Sequence, residues 1–319
     1  MQEQLLLDAW QRVRASEGGP GCDGQAVEAF GRHLLGNLQA LQDELRSGSY
    51  KATPLRQVAV TKRQGGQRTL SIPAVRDRVL QAACALLLGK HFEPRFDAAS
   101  HAYRPGRSAM TALREVVAAR DAGCLHLGEA DIEGFFDNVA HPQLLGLLRR
   151  EGVDESLVAL IQHWLCAVLV PKQGPAMLAT RGIPQGSPLS PLLANIYLHE
   201  LDTALRAQGH RLVRYADDFV LLAPSAEAAQ AALTSAAEAV RLLQLRLHPR
   251  KTRLTSFAQG FTFLGVRFEG EQLRPLSAGM AALLPQLAPP ALEALAADPT
   301  LAEAAESEVA SFPLGPAAL

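Results

Sequence analysis

The twelve residues RLVRYADDFVLL, Arg211 to Leu222, decide how this chain is read. Apolar residues crowd both sides of Tyr215-Ala216-Asp217-Asp218, so the stretch reads as two short strands with a pair of acids at the bend. Two carboxylates side by side are costly, because like charges a few ångströms apart repel and raise one another's pKa. A bare Asp-Asp in a hairpin is ordinarily a solvated turn; a divalent cation would relieve the repulsion and make the pair a site. Working outward, the short apolar-rich stretch Cys124 to Ala130 ends at a third acid, Asp131. Pairing that strand with the hairpin would bring three carboxylates to one edge of a sheet, a set of hard oxygen donors suited to magnesium. Two ions about 3.5–4 Å apart can stabilise the attacking and leaving oxygens of an in-line phosphoryl displacement. Phosphoryl or nucleotidyl transfer is the chemistry such an edge would serve.

The surrounding sequence alternates helical and strand-like stretches. Met1 to about Ser47 predicts two helices around the Gly18-Gly19-Pro20-Gly21 break. Pro54 to Val60 and Arg68 to Ile72 predict a hairpin with a basic tip, Lys62-Arg63-Gln64-Gly65-Gly66-Gln67. Helices are expected over 75–91, 108–121, 142–150, 156–170, 189–207 and 226–243, and strands over 245–255 and 261–268. No internal repeat is apparent.

Composition narrows the class. With 319 residues, 48% hydrophobic and 20% charged, the chain is long enough for two or three packed subdomains, which excludes disorder throughout. Only 5% is aromatic, so the core must be built mainly from Leu, Val and Ala. The longest apolar run, Leu157 to Pro171, is broken by Gln162 and His163 and falls short of the ~20 residues of a membrane span. The opening MQEQLLLDAWQRVR carries Glu3 and Asp8 and does not resemble a secretory signal, so a cytoplasmic location is expected. Cys22, Cys84, Cys124 and Cys166 lack zinc-ligand spacing and are expected as reduced core residues. The net charge of −1 hides an uneven distribution: Tyr50 to Glu115 holds twelve Lys or Arg against four acids, and Glu271 to Leu319 holds Arg274 alone against six. A basic front that could meet phosphate and an acidic end result.

Three motifs in order now carry a resemblance. Asp131-Ile132-Glu133-Gly134-Phe135-Phe136-Asp137, then Gly182-Ile183-Pro184-Gln185-Gly186-Ser187-Pro188-Leu189-Ser190-Pro191, then Tyr215-Ala216-Asp217-Asp218 resemble the polymerase core of group II intron-like bacterial reverse transcriptases. The likeness extends to Gly21-Cys22-Asp23-Gly24, to Arg68-Thr69-Leu70-Ser71-Ile72-Pro73 with Asp77-Arg78-Val79-Leu80-Gln81, to Tyr103-Arg104-Pro105-Gly106-Arg107-Ser108 and to Phe263-Leu264-Gly265, covering about residues 20 to 270.

That resemblance implies an α+β, right-hand polymerase with α/β fingers, a ferredoxin-like palm (an antiparallel sheet plus helices) and a rudimentary thumb. The implied activity is RNA-directed DNA polymerisation, with a primer 3′-hydroxyl extended by dNTPs. Two Mg2+ ions, replaceable by Mn2+, are implied at Asp131, Asp217, Asp218 and the Ile132 carbonyl. Around the nucleotide the resemblance implies Phe135, Phe136, Gln185 and Ala216, with Phe136 as an aromatic gate against a 2′-hydroxyl. Read without the family, Phe136 would be a core aromatic. Lys62 and Arg68 would grip the triphosphate, and Lys251 would be a general acid near the leaving pyrophosphate. Arg104 and Arg107 would track the template backbone, though a loop held by local contacts is the alternative for either. Phe263, Leu264 and Gly265 would form the primer grip.

The implied layout is N-terminal helices and fingers over 1–123, palm over 124–152, helices with the Gln185 loop over 153–207, and palm with hairpin and primer grip over 208–270. Residues 271–319 would be a short Ala/Pro-rich acidic tail or remnant thumb. Expected partners are an RNA template, a DNA or RNA primer, dNTPs and a protein that replaces the thumb, with no membrane. Without splicing and endonuclease domains, such a compact form implies a retroelement, a CRISPR or phage-defence setting with an antiviral role, or a truncated gene product. A catalytically weak RNA-binding scaffold and a partner-dependent polymerase are the alternatives. A nucleotide cyclase is disfavoured by the Gln185 loop, Phe136 and the basic hairpin.

Overall fold

The strand that ends at Asp131 lies inside an antiparallel sheet, and the rest of its unit is built around it. The computed structural model describes residues 2–16, 18–61 and 67–287. Along the chain run α1 (Glu3–Ala15), α2 (Val27–Arg32), α3 (Leu34–Ser47), β1 (Leu55–Thr61), β2 (Gln67–Ile72), α4 (Val75–Phe92), α5 (Ala109–Asp121) and β3 (His126–Asp131). Next come α6 (Phe135–Asn138), α7 (His141–Arg150), α8 (Glu155–Leu165), β4 (Val168–Val170), β5 (Met177–Leu178), α9 (Ser190–Ala207), β6 (Arg211–Tyr215) and β7 (Asp218–Ala223). The series ends with α10 (Ala226–Leu242), β8 (Arg253–Ser256), β9 (Phe261–Phe263), β10 (Val266–Glu269), β11 (Gln272–Pro275) and α11 (Ala278–Leu283). Two compact units result, Met1–Phe96 with Gly134–Tyr197, and Asp97–Glu133 with Leu198–Leu319.

In the second unit the sheet runs β6-β7-β3-β8, with every neighbouring pair antiparallel. Five consecutive residues of β7, Phe219 to Ala223, are buried, as expected of a strand covered on both faces. On one face Leu127, Val213, Val220 and Leu222 share a core with Met110, Leu113 and Val116 of α5. Ser108 starts α5 through a capping box, its hydroxyl accepting from Thr111 N–H while the Thr111 hydroxyl accepts from Ser108 N–H. The next position of β3, Gly128, faces α10, where an added Cβ would overlap the Leu233 side chain. Glycine here lets α10 seat close against the strand that carries Asp131.

A second, three-stranded sheet, β11-β10-β9, packs its aromatic residues into the same core. Phe261 and Phe268 stack with ring centroids 4.7 Å apart. The 261–268 stretch, expected as one strand, is a hairpin, because Leu264 (φ 49°) and Gly265 (φ 76°) both take the left-handed conformation of a two-residue turn. Residues just past Gly270, expected as tail or remnant thumb, begin with β11 and α11, whose Leu273 and Met280 are buried in that core. Residues 288–319 lie outside the described residues.

The first unit holds a mixed sheet, β2-β1-β4-β5, in which β1 pairs antiparallel with β2 and parallel with β4. Helix α1 buries Leu6, Ala9, Trp10 and Val13, the spacing read from sequence, and packs on α4. Three helices rather than two precede β1, since His33 (φ −122°, ψ 34°) interrupts the second. The apolar run 156–170 is likewise divided: α8 stops at Leu165, and Val168–Val170 joins β1 as a strand, the preference of β-branched residues beside an open ladder. All four cysteines are free, but only Cys84 is buried; Cys22 and Cys166 are exposed, so the expected core role fails for them. No helix among the described residues is long and apolar enough to cross a membrane.

Gly128→Ala is expected to lower stability by about 1–3 kcal/mol, the usual cost of overpacking. Urea unfolding should show a reduced midpoint with an unchanged m-value.

Candidate active site

Register brings the acids together. Asp131, last in β3, stands directly opposite Asp218, first in β7. Asp218 also pairs with Tyr215, which leaves Ala216 and Asp217 as the two residues of the turn. Ala216 has φ 58°, a left-handed conformation that costs a non-glycine residue about 1–3 kcal/mol unless the surroundings impose it. Beyond β3 the edge is extended by main-chain pairing: Ile132, buried, bridges to Leu247, His248 N–H donates to the Asp131 carbonyl at 2.8 Å, and Glu133 N–H donates to the Arg246 carbonyl at 2.9 Å. This pairing delivers Lys251, whose Nζ donates to Asp131 Oδ2 at 2.5 Å.

The electrostatics of the edge follow from this crowding. Burial lifts the Asp217 carboxyl above its ordinary range, and Asp131 adds to the shift while Lys251 and Arg214 oppose it. Asp218 reaches solvent, yet the protein packed around it, with the charges of Asp217 and Asp131, pushes it up to about 7. The hydrogen bond to Asp131 raises Lys251, which stays protonated at neutral pH. Mutual repulsion among hard oxygen donors is the condition a divalent cation relieves, so the donor chemistry fits magnesium. Among the described residues no group of three His, Cys, Asp or Glu side chains is already gathered as a cage.

A cleft of about 200 Å3 lies in the first unit, lined by Phe136, Gln185, Arg181, Thr69, Ser71 and Gln57 among others. Phe136 is half-buried there, while Phe135 is buried against Phe136 and Tyr197. The Gln185 loop is stitched down on both sides. Gly182 N–H donates to the Val139 carbonyl at 2.8 Å and Ile183 N–H to the Phe136 carbonyl at 2.6 Å, while Ser71 N–H donates to the Gln185 carbonyl at 2.7 Å. Gly186 (φ 123°) is required, because a side chain there would press on the Ser71 carbonyl as well as strain the backbone.

Other expected residues fall differently. Arg104 is only 7% exposed, and its guanidinium donates to the carbonyls of Asp97 and Ser100, which braces the loop rather than presenting charge to a template. Arg107 is half-buried and donates to the Ala98 carbonyl. Arg68 is exposed on β2, but strand alternation sets it on the face opposite Thr69 and Ser71, away from the cleft. Lys62 lies outside the described residues. Phe263 is a core residue and Leu264 packs beside it.

Two residues that matter to these sites escaped the sequence reading. His141 is buried and its Nε2–H donates to the Gly182 carbonyl at 2.7 Å; burial holds it below the usual histidine range, so it is a neutral donor. Nothing in its local pattern marks it. Arg214 is fully buried under the acid hairpin, and its signal was available: a charge inside a strand, directly after the apolar Leu212 and Val213.

An antiparallel sheet with helices on both faces and acids along one edge is the palm of a right-hand polymerase. The chain belongs to the reverse transcriptase (RNA-dependent DNA polymerase) family, whose model matches residues 60–268. Its enzyme class is therefore RNA-directed DNA polymerase, a nucleotidyltransferase, with RNA template and primer as the partners the family implies and divalent metal ions in general use. It is 31% identical to protein YkfC of Escherichia coli (strain K12), over 89% of this chain and 85% of that one. It is 37% identical to the group II intron-encoded protein LtrA of Lactococcus lactis subsp. cremoris over 52% of this chain, and spans 27% of LtrA's length. Telomerase from Candida albicans shares the fold, with a TM-score of 0.56 at 12% identity over 72% of this chain and 47% of that one.

His141→Ala is expected to destabilise by about 1–3 kcal/mol, since the Gly182 carbonyl is left buried without its donor. His141→Gln should recover part of the loss in the same urea titration.

Proposed function

We propose that the protein extends the 3′-hydroxyl of a primer annealed to RNA, taking dNTPs and releasing pyrophosphate, and that it acts in the cytoplasm. The primer oxygen attacks the α-phosphorus, a P–O bond forms, and the bond to the pyrophosphate oxygen breaks. The observation that carries this reading is the register that sets Asp131 opposite Asp218 with Asp217 beside it. In the proposal Asp131 and Asp217, with Asp218 and the Ile132 carbonyl, hold two Mg2+ ions, for which Mn2+ can substitute. Bound there, the ions supply charge neutralisation to the attacking and leaving oxygens.

The chain's own residues do the rest. Lys251 is proposed to give a proton to the departing pyrophosphate, a role supported by its bond to Asp131, which keeps it protonated beside the acids. Phe136 and Gln185 share the cleft expected to take the nucleotide, and Phe136 follows Asp131 by five residues, which supports its role as the gate against a 2′-hydroxyl. Ala216 shapes the acid turn through its main chain, and Phe135 backs Phe136 within the first unit. Lys62 is proposed to meet the triphosphate, and Arg107 and the Leu264-Gly265 turn the template and primer, whereas Arg68, on the face of β2 away from the cleft, and Phe263, buried in the core, are given no contact. For Arg104 the buried bonds to main-chain carbonyls support a bracing role instead.

Primer extension with magnesium on RNA, on DNA and without template tests the reading. RNA-templated extension should be lost with chelator, return with added magnesium, and fall at least about a hundredfold in Asp217→Asn. Persistence of extension in Asp217→Asn would overturn the site. Phe136→Ala should raise ribonucleotide incorporation relative to deoxynucleotide by about 10–200-fold, the range of a single steric contact. Competing dNTP and rNTP in single-nucleotide assays reads this ratio.

A further inference from the structure

Among the described residues the largest side chain with no exposure is a charged one, Arg214, in the strand that leads into the acid turn. Its guanidinium is held from three directions. Nε and one terminal nitrogen donate to both carboxylate oxygens of Asp202 on α9, at 2.6 and 2.5 Å. The same terminal nitrogen donates to the Ser100 hydroxyl at 2.8 Å, and the other donates to the Ala216 carbonyl at 3.1 Å. The Arg214 main chain is tied as well, its N–H to the Ala99 carbonyl at 2.8 Å and its carbonyl to His101 N–H at 2.9 Å.

A buried ion pair is a poor way to gain stability, because apolar side chains of similar volume commonly do as well or better. Its advantage is geometric: a planar fork with two carboxylate bonds has one orientation, and a lysine could not reproduce it. What that orientation serves is visible at its far end. Ala216 is the strained residue between β6 and Asp217, and a left-handed alanine persists only where the surroundings over-determine it. The Arg214 donor on its carbonyl supplies such a constraint.

We propose that Arg214, locked by Asp202 and Ser100, is a positioning residue: it fixes the Ala216 carbonyl and thereby the direction in which Asp217 and Asp218 leave the turn. This deepens the reading of Asp217 as a working acid and rests on it. The residues involved belong to the loop 97–101, α9 and the hairpin, so the aim of the acids is set by tertiary contacts within this unit.

The test compares the full chain with Arg214→Met/Asp202→Leu, which removes both charges and leaves neither unpaired, and with Ser100→Ala, which deletes one bond. Circular dichroism and thermal unfolding should report a folded double variant. Its kcat for single-nucleotide extension should fall about a hundredfold, with the dNTP KM within about threefold, as expected for a small misplacement of reacting groups. Amide hydrogen exchange over residues 215–218 should speed up in the double variant and stay unchanged in Asp217→Asn. Mn2+ affinity read by electron paramagnetic resonance should weaken. A folded double variant with wild-type exchange and kcat within twofold overturns the proposal. If the double variant does not fold, Ser100→Ala decides: a fall in kcat of about fivefold with faster exchange at 215–218 supports it, and unchanged values overturn it. A wild-type chain that does not extend primers would sink the polymerase reading alone, because exchange and Mn2+ affinity still judge Arg214.

Discussion

The alignment of β3 against β7 is the constraint on which the acid edge depends. Side chains alternate along a strand, so a slip of one residue would turn Asp131 away from Asp218 and move every apolar residue of β3 to the wrong face. The register cannot slip easily, because Leu127 must enter the α5 core while Gly128 must meet Leu233. Packing on two faces therefore decides which oxygen atoms meet at the strand ends, and a demand of the core becomes the geometry of the site.

Bringing those oxygens together carries an electrostatic penalty that the surroundings only partly relieve. Lys251 compensates Asp131 directly, and Arg214 acts on Asp217 from beneath. The remaining imbalance appears as the elevated Asp218 carboxyl. Carboxyls raised in this way by burial and crowding are a common mark of a functional site. Arg104 and Arg214 also show why a basic residue in a nucleic-acid enzyme is not by default a phosphate contact. Both bury their guanidinium groups against main-chain carbonyls and hold loops in place.

The cleft in the first unit obeys a different logic. The Gly182–Gly186 loop has no regular partner, so its main-chain groups are met singly, by Val139, Phe136, Ser71 and the buried His141. Each bond is modest, but together they hold a non-helical backbone against Phe136 without a strand or helix to support it. A loop held this way can present Gln185 in one orientation, which a selective pocket requires.

The order of the elements and the presence of the three acids were determined by the sequence alone, because periodicity and short motifs are local properties. The helices α4, α5, α7, α9 and α10, the β1–β2 hairpin and the two strands around Tyr215–Asp218 lie close to where apolar spacing put them. Where local pattern was ambiguous, tertiary pairing decided. Val168–Val170 became a strand because β1 offered it an open ladder, and 261–268 became a hairpin through left-handed Leu264 and Gly265. The exposure of Cys22 and Cys166, the burial of Arg104, the hidden role of His141 and the Arg214–Asp202 pair depend on residues 12 to more than 40 positions away, or on neighbours that no spacing announces. Sequence names the chemical groups because their identities are written one by one; only the folded chain decides which of them face a ligand and which are spent holding the others in place.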